Sequence, residues 1–233
     1  MYKYGDHLIS KHNATVCTDM LSAPATEQKA PVTPCFTAGA LIKTDEGEVA
    51  AEDIRPGMRV LTRDNGYQPV IWASQRHLEP SDLEAHPHLV PICIRAGALA
   101  PSVPQQDLHV SPQHRILLSN TQIRKWFQSD EVLIAAEHML CYPNIEQAEP
   151  EAVLYIHFMF RQHEIVLADG CWSESFQPTD MSIGAMGDAQ RREILELFPE
   201  LAVDADAYKA ARITVDPAQA SEVLNSVLNA AKA

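Results

Sequence analysis

The apolar positions between Cys35 and Phe176 fall into short runs separated by turn residues. ALIKTDEGEVAAEDI and RVLTRDNGYQPVIW both read as strand, turn, strand, and Asn65-Gly66 is a strong hairpin signal. Further β-like runs follow in LVPICIRAGAL, LHVSPQHRILLS, EVLIAAEHML and AVLYIHFMFRQHEIVLADG. Short strands joined by tight turns are typical of antiparallel sheets. The pattern therefore predicts a mainly β domain over residues 35–176.

The two ends of the chain show different patterns. Residues 1–34 include SAPATEQKAPVTP, which has no periodic apolar face and predicts an extended leader. Near the other end the apolar spacing becomes helical. Asp188 is a candidate N-cap for one helix, which Pro199 should end, and Asp216 is a candidate N-cap for a second helix. The sequence thus predicts a helical C-terminal extension over residues 177–233.

Two internal echoes indicate a repeated β unit. VAAEDI begins at Val49 and IAAEHM at Ile134, an offset of 85 residues, and each follows a β-like run. VTPC from Val32 and VSPQH from Val110 form a second echo, at an offset of 78. Similar offsets in one chain are what duplication of a single supersecondary unit produces. The echoes therefore favour two related β subdomains.

Charge and hydropathy exclude some classes of partner. The chain has 233 residues, and its 18 Lys and Arg against 31 Asp and Glu give a net charge of −13. Binding to a phosphate backbone needs clustered cations, so we expect no nucleic-acid partner. No apolar run is long enough to predict a membrane span. The N-terminus lacks the apolar core of a secretory signal, which leaves a cytoplasmic location or export without a classical signal peptide.

The cysteine and histidine spacings predict no bound metal. The chain has five cysteines and no CxxC pair, so neither a disulfide framework nor a zinc ribbon is indicated. Cys35 apart, the expected role of these residues is that of small buried or half-buried side chains: Cys17, Cys93, Cys141 and Cys171. No Gly-rich phosphate loop is present, and no cofactor is predicted.

The candidate chemistry lies where the leader meets the β domain. Cys35 directly follows Pro34, and its thiol could attack the Pro34 carbonyl carbon in an N-to-S acyl shift. That step needs a base or a deprotonated thiol, a donor for the developing oxyanion and an acid for the leaving nitrogen. Ser111 and His114 are three residues apart across a Ser-Pro turn and could supply such groups. The alternative is a histidine that is simply hydrogen-bonded within the turn.

Three blocks of the sequence resemble the Hint superfamily, the self-processing domains of Hedgehog proteins and inteins. CFTAGALIKTDEGEVAAEDIRPGMRVLT resembles the opening block, with Cys35 first. VSPQH resembles a Thr-x-x-His block, with Ser111 and His114 in those two places, and LYIHFMFRQHEIVLADGCWSES resembles the late block, with His163 as its histidine. The resemblance implies a Hint-like fold of two pseudo-symmetric β subdomains, with Cys35, Ser111, His114 and His163 as catalytic residues.

The chain departs from that family in two places. Inteins end in His-Asn, whose asparagine cyclises, whereas Glu174 and Ser175 stand there in this chain, so protein splicing is not expected. Hedgehog-type domains carry an aspartate that activates the second nucleophile. The corresponding segment, residues 73–77, has no carboxylate, and His77 is the residue in it that could serve as a base.

The sequence therefore predicts a single-turnover autoprocessing domain. Cys35 forms a thioester with Pro34, and water or a small thiol or amine resolves it, which cuts the chain into residues 1–34 and 35–233. The leader is then the protein's own substrate. The alternative is a binding or structural module that has the Hint fold without the reaction.

Overall fold

The computed structural model describes residues 33–149, 151–179, 183–184, 187–204 and 207–230. These residues are mainly β, as the sequence predicts. Most of the predicted leader lies outside the described residues, but Thr33 and Pro34 are described and both are buried.

Fourteen strands are formed by the described residues. In chain order they are β1 (Phe36–Thr37), β2 (Leu41–Thr44), β3 (Gly47–Ala50), β4 (Arg59–Thr62), β5 (Gly66–Pro69), β6 (Trp72–Leu78), β7 (Ile92–Ile94), β8 (Leu108–Val110), β9 (Arg115–Ser119), β10 (Glu131–Ala135), β11 (Ile145–Gln147), β12 (Val153–Met159), β13 (Ile165–Ala168) and β14 (Cys171–Glu174). The Asn65-Gly66 signal is confirmed, because β4 and β5 pair as an antiparallel hairpin around it.

These strands form two antiparallel sheets around a shared core. The six-stranded sheet has the order β11-β7-β8-β1-β12-β6. The eight-stranded sheet has the order β10-β9-β14-β13-β2-β4-β5, with β3 paired to β2. Ile94 and Phe158 from the first sheet and Ile42, Val60 and Ile116 from the second belong to one hydrophobic cluster. Burial of apolar side chains from both sheets is therefore what joins them.

The first sequence echo marks a structural repeat. Ala51 and Ala136 each begin a 3₁₀ helix directly after a strand, and each is fully buried. The Ala51 N–H donates to the carbonyl of Ala40, and the Ala136 N–H donates to the carbonyl of His114. In each unit, the residue after the second strand of a hairpin thus bonds to the residue before the first strand, which agrees with two related β subdomains. The second echo includes Val32, which lies outside the described residues.

The helices lie largely outside the two sheets. They are α1 (Pro80–Ala85), α2 (Asp188–Leu197) and α3 (Pro217–Ala230). Asp216 does cap α3, since its Oδ1 accepts the Ala218 N–H at 2.8 Å. The prediction that Asp188 caps α2 is wrong: Gly187 is the N-cap, and Asp188 is the first helical residue, where its charge favours the helix N-terminus. Helix α2 ends at Leu197, two residues before Pro199.

The C-terminal segment packs into the β core. Val223 and Leu224 of α3 are fully buried and belong to the same cluster as the core residues of both sheets. Just before α3, Leu133 of β10 donates its N–H to the Ile213 carbonyl, and Val215 donates to the Leu133 carbonyl. The segment therefore covers the outer edge of β10, which would otherwise expose unpaired backbone groups.

The cysteines follow the prediction with one exception. Cys93 and Cys171 are buried free thiols, as expected. Cys141 is half-buried and disulfide-bonded, so the expectation of no disulfide was wrong for this residue. Cys17 lies outside the described residues. None of the described helices is long and apolar enough to cross a membrane.

Two leucines of the C-terminal segment test this packing. Leu224 is fully buried, whereas the Leu197 side chain is about half exposed. Leu224→Ala should lower the free energy of unfolding by about 2–5 kcal/mol, because it opens a cavity in the shared core. Leu197→Ala should change it by less than about 1 kcal/mol. Urea unfolding of both variants measures the difference, and a loss in Leu224→Ala as small as the one expected for Leu197→Ala would show that α3 does not contribute to the core.

Candidate active site

Strand β1 sets the position of Cys35. This two-residue strand lies between β8 and β12, with Phe36 opposite Val110 on one side and opposite Ile156 on the other. Continuing the β12 register by one residue places Cys35 opposite His157. Directly opposed residues of an antiparallel pair point to the same face, so the thiol and the imidazole are brought together by strand pairing.

The backbone around Cys35 is held by Ser111. The Cys35 N–H donates to Ser111 Oγ at 2.9 Å, and the Ser111 hydroxyl donates to the Thr33 carbonyl at 2.9 Å. The Ser111 N–H donates to the Cys35 carbonyl at 3.0 Å. Ser111 therefore contacts the chain on both sides of the Pro34–Cys35 peptide bond, which agrees with its predicted place in the site.

His157 is a site residue that the sequence reasoning missed. Its Nε2 lies 3.5 Å from Cys35 Sγ, and its Nδ1 lies 3.1 Å from the Pro34 carbonyl oxygen. A carbonyl oxygen can only accept, so Nδ1 carries the hydrogen and the Nε2 lone pair faces the thiol. Burial lowers the pKa of His157 to about 4, which keeps the ring neutral near pH 7. The available signal was a histidine in the middle of the apolar run LYIHFMF.

The Cys35 thiol is protonated at rest. The side chain is buried, and burial raises its pKa well above the ordinary range although hydrogen bonds to Ser111 and Thr33 act the other way. Its Sγ donates to the Thr33 carbonyl at 2.9 Å. The thiolate is the nucleophilic form, so reaction at this position requires a neighbouring base. His157 is the group that lies in place to be that base.

His114 lies in the wall of the same site. Its ring packs edge-on against Phe36, with ring centroids 4.4 Å apart, and its backbone N–H donates to the Ser111 carbonyl. The ring is buried, and within the described part of the protein neither of its nitrogens has a hydrogen-bond partner. Burial lowers its pKa to about 4, and the negative charge of Glu174 acts in the opposite direction. The hydrogen bond of His114 within the turn is thus made by its backbone and not by its ring.

The structure places His163 in a second polar cluster rather than beside Cys35. Its Nδ1 accepts the Ala211 N–H at 2.9 Å, so Nε2 carries the hydrogen. That Nε2 lies 3.1 Å from the Ser175 carbonyl oxygen and 3.3 Å from Glu174 Oε2. His163 thus contacts Glu174 and Ser175 at the end of the late block and Ala211 in the C-terminal segment. These contacts are with residues of the second cluster and not with the Cys35 thiol, so the catalytic role of His163 stays a prediction.

Glu174 is the fixed charge of this second cluster. Its side chain is fully buried, with Oε1 accepting the Arg115 N–H at 2.8 Å and Oε2 lying 3.3 Å from Arg115 Nη1. Burial works to raise the pKa of Glu174, but Arg115 and His163 outweigh it and hold the pKa below the ordinary value. The carboxylate is therefore ionised at neutral pH.

His77 does not join the site. Its side chain on β6 is largely exposed, and its Nδ1 lies 3.4 Å from Glu79 Oε1. In the described ranges, no three His, Cys, Asp or Glu side chains are grouped so as to hold a metal ion.

The thiol of Cys35 thus lies just before the first strand of the β domain, between the Thr33 carbonyl and His157. The family model of the Hint domain matches residues 34–180, and the chain therefore belongs to that family. A search of curated proteins finds no match.

Solved structures with a similar fold are inteins and intein-like domains. The bacterial intein-like domain from Clostridium thermocellum is 14% identical, with a TM-score of 0.41, and the match covers 62% of this chain and 99% of that one. The gp41-1 intein is 10% identical, with a TM-score of 0.37 and coverage of 61% and 98%. A Ssp DnaB mini-intein variant, M86, is 9% identical, with a TM-score of 0.37 and coverage of 63% and 97%.

Proposed function

We propose that the protein cleaves its own chain between Pro34 and Cys35. The observation that carries this proposal is the position of His157, whose two ring nitrogens face the thiol and the carbonyl that the thiol would attack. One neutral imidazole can thus accept the thiol proton at Nε2 and support the developing oxyanion at Nδ1. Membership of the Hint family, with its self-processing relatives, agrees with this chemistry.

The acyl shift proceeds in balanced steps. The Cys35 S–H turns from the Thr33 carbonyl to His157 Nε2, which takes its proton as sulfur bonds to the Pro34 carbonyl carbon. The carbon–nitrogen bond then breaks, and the Cys35 nitrogen gains a proton and becomes an amine. We assign that proton to His114, which first takes it up from solvent, while the thiol proton leaves His157 to solvent. The product is a thioester between Pro34 and Cys35.

A second nucleophile completes the reaction. Water attacks the thioester carbonyl and releases residues 1–34 with a free carboxylate, which regenerates the Cys35 thiol. A small thiol or amine gives the corresponding thioester or amide of the leader. Each molecule reacts once on itself, so the activity is single-turnover.

The late block is arranged to hold the chain together rather than to cut it. Ser175 bonds to Glu164 through both its N–H and its hydroxyl, so its side chain is already engaged. Glu174 is ionised and paired with Arg115, and a carboxylate is a poor nucleophile toward an amide. We therefore expect cleavage without splicing.

One observation favours the alternative of a non-processing Hint-fold module. The Cys35 thiol is buried, and its raised pKa keeps it protonated. If the thiol cannot transfer its proton to His157, the same fold would serve as a binding or structural unit. Direct observation of cleavage separates the two functions.

Cys35 should be required for cleavage, whereas another buried free thiol should not. Full-length protein incubated with dithiothreitol should yield a product that begins at Cys35, seen by intact mass and by N-terminal sequencing. Cys35→Ala should abolish this product because no sulfur remains to form the thioester. Cys93→Ala is the matched control and should cleave at the rate of the wild type. A wild-type chain that stays intact for days in thiol would exclude autoprocessing.

Substitutions of His157 should separate its two roles. In asparagine the amide nitrogen lies two bonds from Cβ, as Nδ1 does, so His157→Asn keeps a donor for the Pro34 carbonyl but has no base. It should cleave about 10²–10⁴-fold more slowly than the wild type. His157→Ala lacks the donor as well and should be slower still, by about 10²–10³-fold. The measurement is the cleavage rate from reducing gels over time, with thermal unfolding to confirm the fold. Wild-type rates in His157→Ala would remove this residue from the mechanism.

The C-terminal segment should remain covalently attached under every condition that cleaves at Cys35. Neither Glu174 nor Ser175 is free to release it, for the reasons given above. Mass spectrometry should therefore find residues 35–233 as one product. A fragment ending between Trp172 and Phe176, or a ligated species joining the leader to the tail, would contradict this assignment.

A further inference from the structure

Glu174 and His114 are buried polar groups that complement each other. Glu174 Oε1 accepts the N–H of the peptide group that joins His114 to Arg115, at 2.8 Å, so the carboxylate lies against the backbone next to His114. Both ring nitrogens of His114 are buried without a hydrogen-bond partner in the described part of the chain. Glu174 Oε2 is ion-paired, and it lies 3.3 Å from Arg115 Nη1 and 3.3 Å from His163 Nε2. Unpaired buried polar atoms are rare and costly, and they cluster where function requires them.

We propose that Glu174 is a positioning residue that stabilises the protonated, proton-donating form of His114 when that form arises during the reaction. This inference rests on the proposed function, in which His114 protonates the Cys35 nitrogen. When His114 takes up a proton, its ring becomes a cation in a buried site, and the nearby carboxylate is its counter-charge. In this proposal, a residue of the late block, Glu174, assists the reaction at Cys35 although the late block itself does not cleave the chain.

The other charged and titratable groups around His114 do not offer this support. Arg115, on the same strand, carries a positive charge that disfavours protonation of the ring, and His157 and His163 act in the same direction when charged. Glu174 is the group whose charge raises the His114 pKa, against the larger lowering effect of burial. Removing Glu174 should therefore lower that pKa, and removing Arg115 should raise it.

Glu174→Gln and Arg115→Gln should change the pKa of His114 in opposite directions. Glutamine in place of Glu174 keeps an oxygen that can accept the Arg115 N–H but removes the charge. Cleavage near pH 7 should then be at least about tenfold slower, since each unit by which the His114 pKa falls lowers the protonated fraction tenfold. In Glu174→Gln, the pH above which the cleavage rate falls should be lower than in the wild type. Arg115→Gln should raise that pH, which a general loss of stability would not do.

Glu131→Gln is the matched control. Glu131 is a partly buried carboxylate that is also bonded to arginines, Arg63 and Arg212, and it lies at the far end of β10 from the site. Its substitution should cost stability but leave the pH profile of cleavage unchanged. An equal shift in Glu131→Gln would overturn the specific role of Glu174.

Direct titration of His114 separates this inference from the proposed function. In Cys35→Ala the chain stays whole, so ring ¹⁵N shifts of His114 can be followed against pH by NMR, with His114→Gln used for assignment. The pKa should fall in Cys35→Ala/Glu174→Gln and rise in Cys35→Ala/Arg115→Gln. An unchanged His114 pKa in the Glu174 variant would overturn the inference. A lowered pKa in a protein whose wild type never cleaves would support the charge partnership and refute autoprocessing.

Discussion

The pairing of β1 with β12 is the constraint on which the site depends. Two residues of strand hold Cys35 opposite His157, and the same pairing points both side chains to one face of the six-stranded sheet. The thiol, the imidazole and the Pro34 carbonyl are therefore positioned by backbone hydrogen bonds rather than by mobile loops. Strand β1 is itself fixed on its other side by β8, which leads directly into the turn that carries Ser111 and His114.

Burial makes the reacting groups neutral at rest. It raises the pKa of the Cys35 thiol and lowers the pKa values of His114 and His157 to about 4. An acyl shift must separate charge among these groups, and a buried site gives little solvation to a new charge. In the proposed reaction, fixed partners replace the water: Nδ1–H of His157 for the oxyanion, and the carboxylate of Glu174 for protonated His114.

The sequence predicts the fold better than it predicts the site. Alternating runs, the Asn65-Gly66 signal and the Val49/Ile134 echo are local patterns, and local patterns decide strands, hairpins and repeats. His157 is 122 residues from Cys35 in the sequence, and strand register brings its ring to the thiol. No local pattern specifies that register. Ser111, which the blocks that resemble the family single out, lies beside Cys35. The blocks could not show that His163 is turned toward Ser175 and Glu174, because that depends on where the C-terminal segment packs.

The C-terminal segment explains why the late block has a holding role in this chain. Ala211 fixes the tautomer of His163 by donating to its Nδ1, which leaves Nε2–H for the Ser175 carbonyl and for Glu174. Arg115 completes the cluster from β9. Residues that follow Ser175 then enter the core through α3, so release of this segment would expose side chains that both sheets share. This packing agrees with the proposal that the segment after Ser175 stays attached, and it places a buried carboxylate next to His114.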